Sequence, residues 1–82
     1  MKTFEDLVFK QEIVCKHAVL YFENGYGISV LFGDKVYSNG IDTYEVAMLY
    51  KNDFFYIEGD SIIPYATKEK INEIMIELQN KI

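Results

Sequence analysis

The chain has 82 residues, half of them hydrophobic and 16% aromatic, and 13 acidic residues against 8 basic ones give a net charge of −5. A chain this short builds one domain, residues 1–82, around a single core. The eight basic residues are all lysine, which argues against direct DNA or RNA binding, where cationic charge displaces counterions and the arginine fork grips phosphate or guanine.

Between Phe4 and Cys15, Leu7 and Phe9 alternate with polar neighbours, which predicts an edge strand from about Leu7. Thr3 has the chemistry to cap a short helical turn instead. Glu5, Asp6, Lys10, Gln11 and Glu12 break up any apolar run, so neither a signal peptide nor a membrane span is expected there. Cys15, the one cysteine, excludes an intrachain disulfide and points to a reducing compartment, the cytoplasm.

Asn24-Gly25, set between two runs of strand-forming residues, predicts a β-hairpin over residues 17–32. A two-residue type I′ turn needs φ > 0 at both central positions, which Asn tolerates and Gly adopts without strain. That turn sets Glu23 opposite Tyr26, Phe22 opposite Gly27, Tyr21 opposite Ile28, Leu20 opposite Ser29, Val19 opposite Val30 and Ala18 opposite Leu31. Val19, Tyr21, Ile28, Val30 and Phe32 then share one face. Ala18, Leu20, Phe22, Ser29 and Leu31 share the other, with the Phe22 ring placed to cover bare backbone at Gly27.

Gly33-Asp34 and Ser38-Asn39-Gly40 carry turn chemistry, which leaves residues 35–38 as a short strand or a loop. Residues 44–50 alternate as a strand, with Tyr44, Val46, Met48 and Tyr50 on one face and Glu45, Ala47 and Leu49 on the other. Lys51-Asn52-Asp53 turns into a second hairpin over residues 54–58, ended by Gly59-Asp60. Pro64 closes the β region and Thr67 stands where an N-cap belongs. From Lys68, the apolar residues Ile71, Ile74, Met75, Leu78 and Ile82 form the stripe of an amphipathic helix, with Glu69 and Lys81 complementing its dipole.

The expected fold is α+β: an antiparallel sheet of four to five strands with one C-terminal amphipathic helix packed on one face. One helix covers one face of a small sheet, yet both faces of the hairpin read as apolar. The second face is therefore covered by the N-terminal segment, by a loop, or by another chain, either a second copy in a homodimer or a foreign protein. Ala18, Leu20, Phe22, Ser29 and Leu31 are the candidate partner interface.

Cys15 and His17 face the same side of a strand, but two rises separate them by about 6.5–7 Å, beyond hydrogen-bond reach. A half-buried thiol is the preferred reading. No spacing suits a metal, Asp34, Asp42, Asp53 and Asp60 fall at turns, and the Gly25-Tyr26-Gly27 string reads as hairpin before phosphate loop. No catalytic, cofactor-binding or metal residues are assigned, and a non-enzymatic protein is expected. Glu69, Glu73 and Glu77 stack at i, i+4 on one helical stripe, about 6 Å apart, either as a solubilising face or as carboxylates spaced like successive phosphates.

The strings F-E-D-L-V-F-K at residues 4–10, F-E-N-G-Y-G-I-S-V-L-F-G at residues 22–33 and Y-E-V-A-M-L at residues 44–49 resemble a family of small, mostly uncharacterised proteins of tailed phages and prophages. The resemblance implies a phage accessory protein in the host cytoplasm that acts by stoichiometric protein binding. It further implies inhibition of a host defence system of the CRISPR or restriction type. A self-associating protein outside defence inhibition is the alternative, and a small enzyme or ligand-binding domain a remote one.

Overall fold

The computed structural model describes residues 1–51, 53–54 and 62–81. Its centre is the antiparallel trio β2 (Lys16–Tyr21), β3 (Tyr26–Phe32) and β4 (Tyr44–Tyr50), flanked by the short β1 (Lys10–Gln11) on β2. The far edge of β4 is shared by β5 (Asp53–Phe54) at one end and β6 (Ile62–Ala66) at the other, so the sheet is five positions wide. The helix α1 (Lys68–Gln79) packs across one face, completing the expected α+β arrangement.

The hairpin forms as expected, but its register is displaced by one residue. Tyr21 pairs with Gly27, Leu20 with Ile28, Val19 with Ser29, Ala18 with Val30 and His17 with Leu31. The cause is the turn, a three-residue loop in which the Gly25 amide donates to the Phe22 carbonyl and the Phe22 amide to the Tyr26 carbonyl. Gly25 alone takes positive φ, at 90°, and Asn24 does not. The Asn24 side chain bonds both within the loop and to the end of the helix. Its Oδ1 accepts from the Tyr26 amide at 3.1 Å, and its Nδ2 donates to the Leu78 and Lys81 carbonyls at 2.8 and 2.9 Å. It therefore caps the C-terminal end of α1, where carbonyls lack intrahelical donors.

The shift redistributes every hairpin side chain, because one residue of slip exchanges the faces of one strand relative to the other. Ala18, Leu20, Phe22, Tyr26, Ile28, Val30 and Phe32 now share the helix face with Tyr44, Val46, Met48 and Tyr50. His17, Val19, Tyr21, Gly27, Ser29 and Leu31 share the outer face with Glu45, Ala47 and Leu49. The division of β4 is the one its alternation predicts.

The core lies between sheet and helix, where Ile28, Val30, Val46, Ile71, Met75 and Leu78 are wholly buried. Thr67 caps α1 by accepting from the Lys70 amide, and Ile71, Ile74, Met75 and Leu78 form its buried stripe, as the sequence predicts. Ile82 lies outside the described residues, and Lys81 falls beyond the helix, which ends at Gln79.

Two further expectations change, and a third is decided between its alternatives. The strand predicted from Leu7 is replaced by a 3-10 turn over Phe4–Asp6, and β1 begins only at Lys10. Asp6 Oδ2 accepts from the Thr3 amide at 2.8 Å, and two helix amides bind the same segment: Asn72 accepts from the Phe4 amide, while Gln79 both donates to Lys2 and accepts from it. These bonds draw Phe4, Leu7 and Phe9 onto the core and hold the N-terminal strap on the helix side, away from the outer face. Pro64 does not close the β region, because β6 runs on to Ala66 at the sheet edge, where a missing amide is tolerated. Residues 35–38 are loop, organised by the buried Ser38, whose hydroxyl accepts from the Gly33 and Gly40 amides and donates to the Thr43 carbonyl. The second hairpin is present as the β4–β5 pairing, Leu49 with Phe54 and Tyr50 with Asp53, and its predicted continuation over residues 55–60 lies outside the described residues.

Candidate functional site

Backbone hydrogen bonds in an antiparallel pair alternate from residue to residue. With Phe22 bonded to Tyr26, the alternation turns Leu20 and Ala18 toward β3 and leaves the amides and carbonyls of Tyr21, Val19 and His17 facing the opposite edge. His17 meets Lys10 of β1 there. Continuing that register would bring Val8 to Val19 and Asp6 to Tyr21, but the chain has already turned away into the strap. Among the described residues, Val19 and Tyr21 thus present unpaired backbone donors and acceptors, and their side chains are 48% and 42% exposed.

The divergence of strap and strand opens a cleft of about 680 Å³, walled by Tyr21, Phe22, Glu23 and Asn24 on one side and by Met1, Lys2 and Asp6 on the other, with Gln79 at its base. Its form follows from the two chain ends it separates. One wall is a free strand edge and the other the N-terminal strap pinned to α1.

On the outer face next to this edge, Glu12, His17 and Ser29 form a hydrogen-bonded chain. His17 Nδ1 lies 3.2 Å from Glu12 Oε2 and Nε2 lies 2.8 Å from Ser29 Oγ. The order carboxylate, imidazole, hydroxyl matches a nucleophilic triad. The setting does not complete one. Ser29 sits mid-strand in β3, paired on both sides, so the amides around it serve the ladder and are not gathered at an acyl oxygen. The chain acts as a polar lock fastening the β1–β2 corner to β3. The displaced register creates it, since His17 and Ser29 become diagonal neighbours only when Val19 faces Ser29. In the register expected from a two-residue turn His17 and Ser29 fall on opposite faces, so the sequence carried no signal for this contact.

Cys15 is buried at 7% exposure, packed near Gly33 in the β1–β2 turn. Burial, together with the carboxylates of Glu12 and Glu45, raises its thiol above the usual value, so it is protonated and unreactive near neutrality. Gly27 lies under the Tyr21 ring, which takes the covering role expected of Phe22.

The residues expected as one interface separate in the structure. Ala18 and Phe22 are buried in the core and Leu20 packs against it, while Ser29 and Leu31 lie on the opposite face. Glu69, Glu73 and Glu77 remain exposed along α1, and none belongs to the cleft. Among the described residues, no helix is long and apolar enough to cross a membrane. Compared with protein-family models, with curated proteins and with solved structures, the chain has no match.

Proposed function

We propose that this chain is a non-catalytic binding protein that acts stoichiometrically on another protein by accepting an extended segment of it at the open edge of β2. The carrying observation is the pair Val19 and Tyr21, whose backbone groups face outward, Tyr21 also lining the cleft between strand and strap. Strand addition uses such an edge for affinity through main-chain bonds and takes specificity from alternate side chains. Val19 and Tyr21 supply that apolar contact, and Lys2, Asp6 and Glu23 supply polar contacts at the rim. The sequence resemblance supports a phage accessory protein in the host cytoplasm, with a host defence protein as partner. The acidic stripe supports nucleic-acid mimicry as the alternative route to the same end, and self-association uses the same edge with a second copy.

The test is affinity capture from host lysate, read by mass spectrometry, with wild type, a Val19→Pro variant and a triple Gln variant at residues 69, 73 and 77. Proline at position 19 removes an outward amide without touching the β2–β3 ladder. Loss of a partner with Val19→Pro alone supports the edge; loss with the triple variant alone, together with steep weakening by salt, moves the function to the acidic stripe. A partner retained by both variants overturns both surfaces.

A further inference from the structure

At the opposite end of the helix face, four aromatic rings are left half-buried. Phe32 ends β3, Tyr44 begins β4, and Phe4 and Phe9 reach them from the strap. Tyr44 is the hub, with ring centroids 5.1 Å from Phe32, 5.2 Å from Phe4 and 5.9 Å from Phe9. The rings stay partly open because α1 begins only at Lys68 and its buried stripe only at Ile71, so the helix does not reach over this end of the sheet. The remaining space is a cleft of about 320 Å³ bordered by Lys16 and Lys68.

Both lysines are exposed at the border of this cleft. Lys68 occupies the first position of α1, where the dipole is positive and a cation is destabilising. Lys16 is exposed at the start of β2, opposite Phe32 and on its face of the sheet. Neither has a carboxylate partner among the described residues; Lys68 Nζ instead stands 5.3 Å from the centroid of the Phe4 ring. In a chain of net charge −5, two unpaired ammonium groups beside an aromatic floor are complementary to one kind of molecule.

We infer that this cleft binds a small planar aromatic anion, its ring lying against the aromatic cluster around Tyr44 and its charged group between Lys16 and Lys68. The volume limits the ligand to one or two rings, at the lower end of small-molecule sites. The other rim fixes the orientation and the charge. Burial, and after it the carboxylates of Asp42 and Glu5, raise the Tyr44 hydroxyl above its usual value, so negative charge is unwelcome beside it. A single carboxylate directed at the lysines satisfies both rims, whereas a phosphate dianion meets repulsion from the acidic side.

Calorimetric titration with 2-naphthoate tests this, with neutral 2-naphthalenemethanol and adenosine monophosphate as comparators, and amide chemical-shift mapping locates the bound ring. The expected result is binding of 2-naphthoate about 10-fold tighter than of the alcohol, as for one charge-assisted contact worth about 1.4 kcal/mol, with shifts centred on Phe32 and Tyr44. The double variant Lys16→Gln/Lys68→Gln removes that advantage. Lys68→Glu separates binding from folding, because it raises the melting temperature by about 2 °C through the helix dipole while weakening 2-naphthoate. Equal binding of acid and alcohol, shifts centred elsewhere, or undiminished binding in the double variant overturns the inference. Tighter binding of adenosine monophosphate overturns the assignment to a monoanion.

Discussion

The two faces of the sheet are held by different physics. The helix face is closed chiefly by apolar contact, with Ile28, Val30, Val46 and the α1 stripe removed from water and the side chains of Asn24, Asn72 and Gln79 fastening its margins. The outer face around β2 is held by individual fittings: the Tyr21 ring over Gly27, and the Glu12–His17–Ser29 chain across three segments. Contact of the first kind is non-directional and tolerates shifts in shape; fittings of the second kind fix strand alignment and leave side chains and edge groups in reach of a partner.

Substitutions break this division in a graded order. Ile28→Ala, at the centre of the helix face, is expected to destabilise by about 2–5 kcal/mol, combining lost transfer energy with a cavity between sheet and helix. Chemical denaturation gives the value; a loss under about 1 kcal/mol contradicts the burial described for this position.

Gly27→Ala probes the tightest fitting of the outer face. A Cβ there meets the Tyr21 ring at 2.6 Å and the Leu20 carbonyl at 2.9 Å, so the ring must swing away and the backbone must shift. A loss of about 1–3 kcal/mol is expected. The double variant Gly27→Ala/Tyr21→Ala then separates the two obstacles, recovering part of the loss to the extent that the ring is responsible.

The smallest effect belongs to Ser29→Ala, which removes one hydrogen bond at a partly exposed site and is expected to cost about 0.5–1.5 kcal/mol. The same variant sharpens the reading of the polar chain. A phosphonate that labels activated serines is expected to leave wild-type Ser29 unmodified; stoichiometric labelling lost in Ser29→Ala would make the chain a catalytic one.

The parts of this fold that were legible in the sequence are those whose two faces differ in polarity. Residues 44–50 alternate tyrosine and aliphatic side chains with Glu45, and the α1 stripe is bounded by a cap, so both could be read directly. The hairpin offered no such contrast. With apolar residues on both faces, either register satisfies burial, and the turn decides. Asn24-Gly25 looks locally like a two-residue turn, but the Asn24 amide is claimed by carbonyls 54 and 57 residues away, one in the last turn of α1 and one just beyond it, which no local reading can supply. The strap failed for the same reason, since Asn72 and Gln79 draw it onto the helix before it can extend along β2. Consequently the candidate edge was invisible: it exists because a strand that the sequence predicts is absent.

The Asn24 junction also bears on the order in which the chain becomes itself. A hairpin closes over a few residues and is an early event, whereas the helix that receives the Asn24 amide at Leu78 lies 54 residues further along the chain and is synthesised after it. Until that helix docks, the three-residue loop lacks the contacts that distinguish it from its two-residue competitor, so the nascent hairpin can exchange alignments. The C-terminal helix therefore acts as a late proofreader of strand alignment, and truncation within it should leave a hairpin that forms without settling on one register.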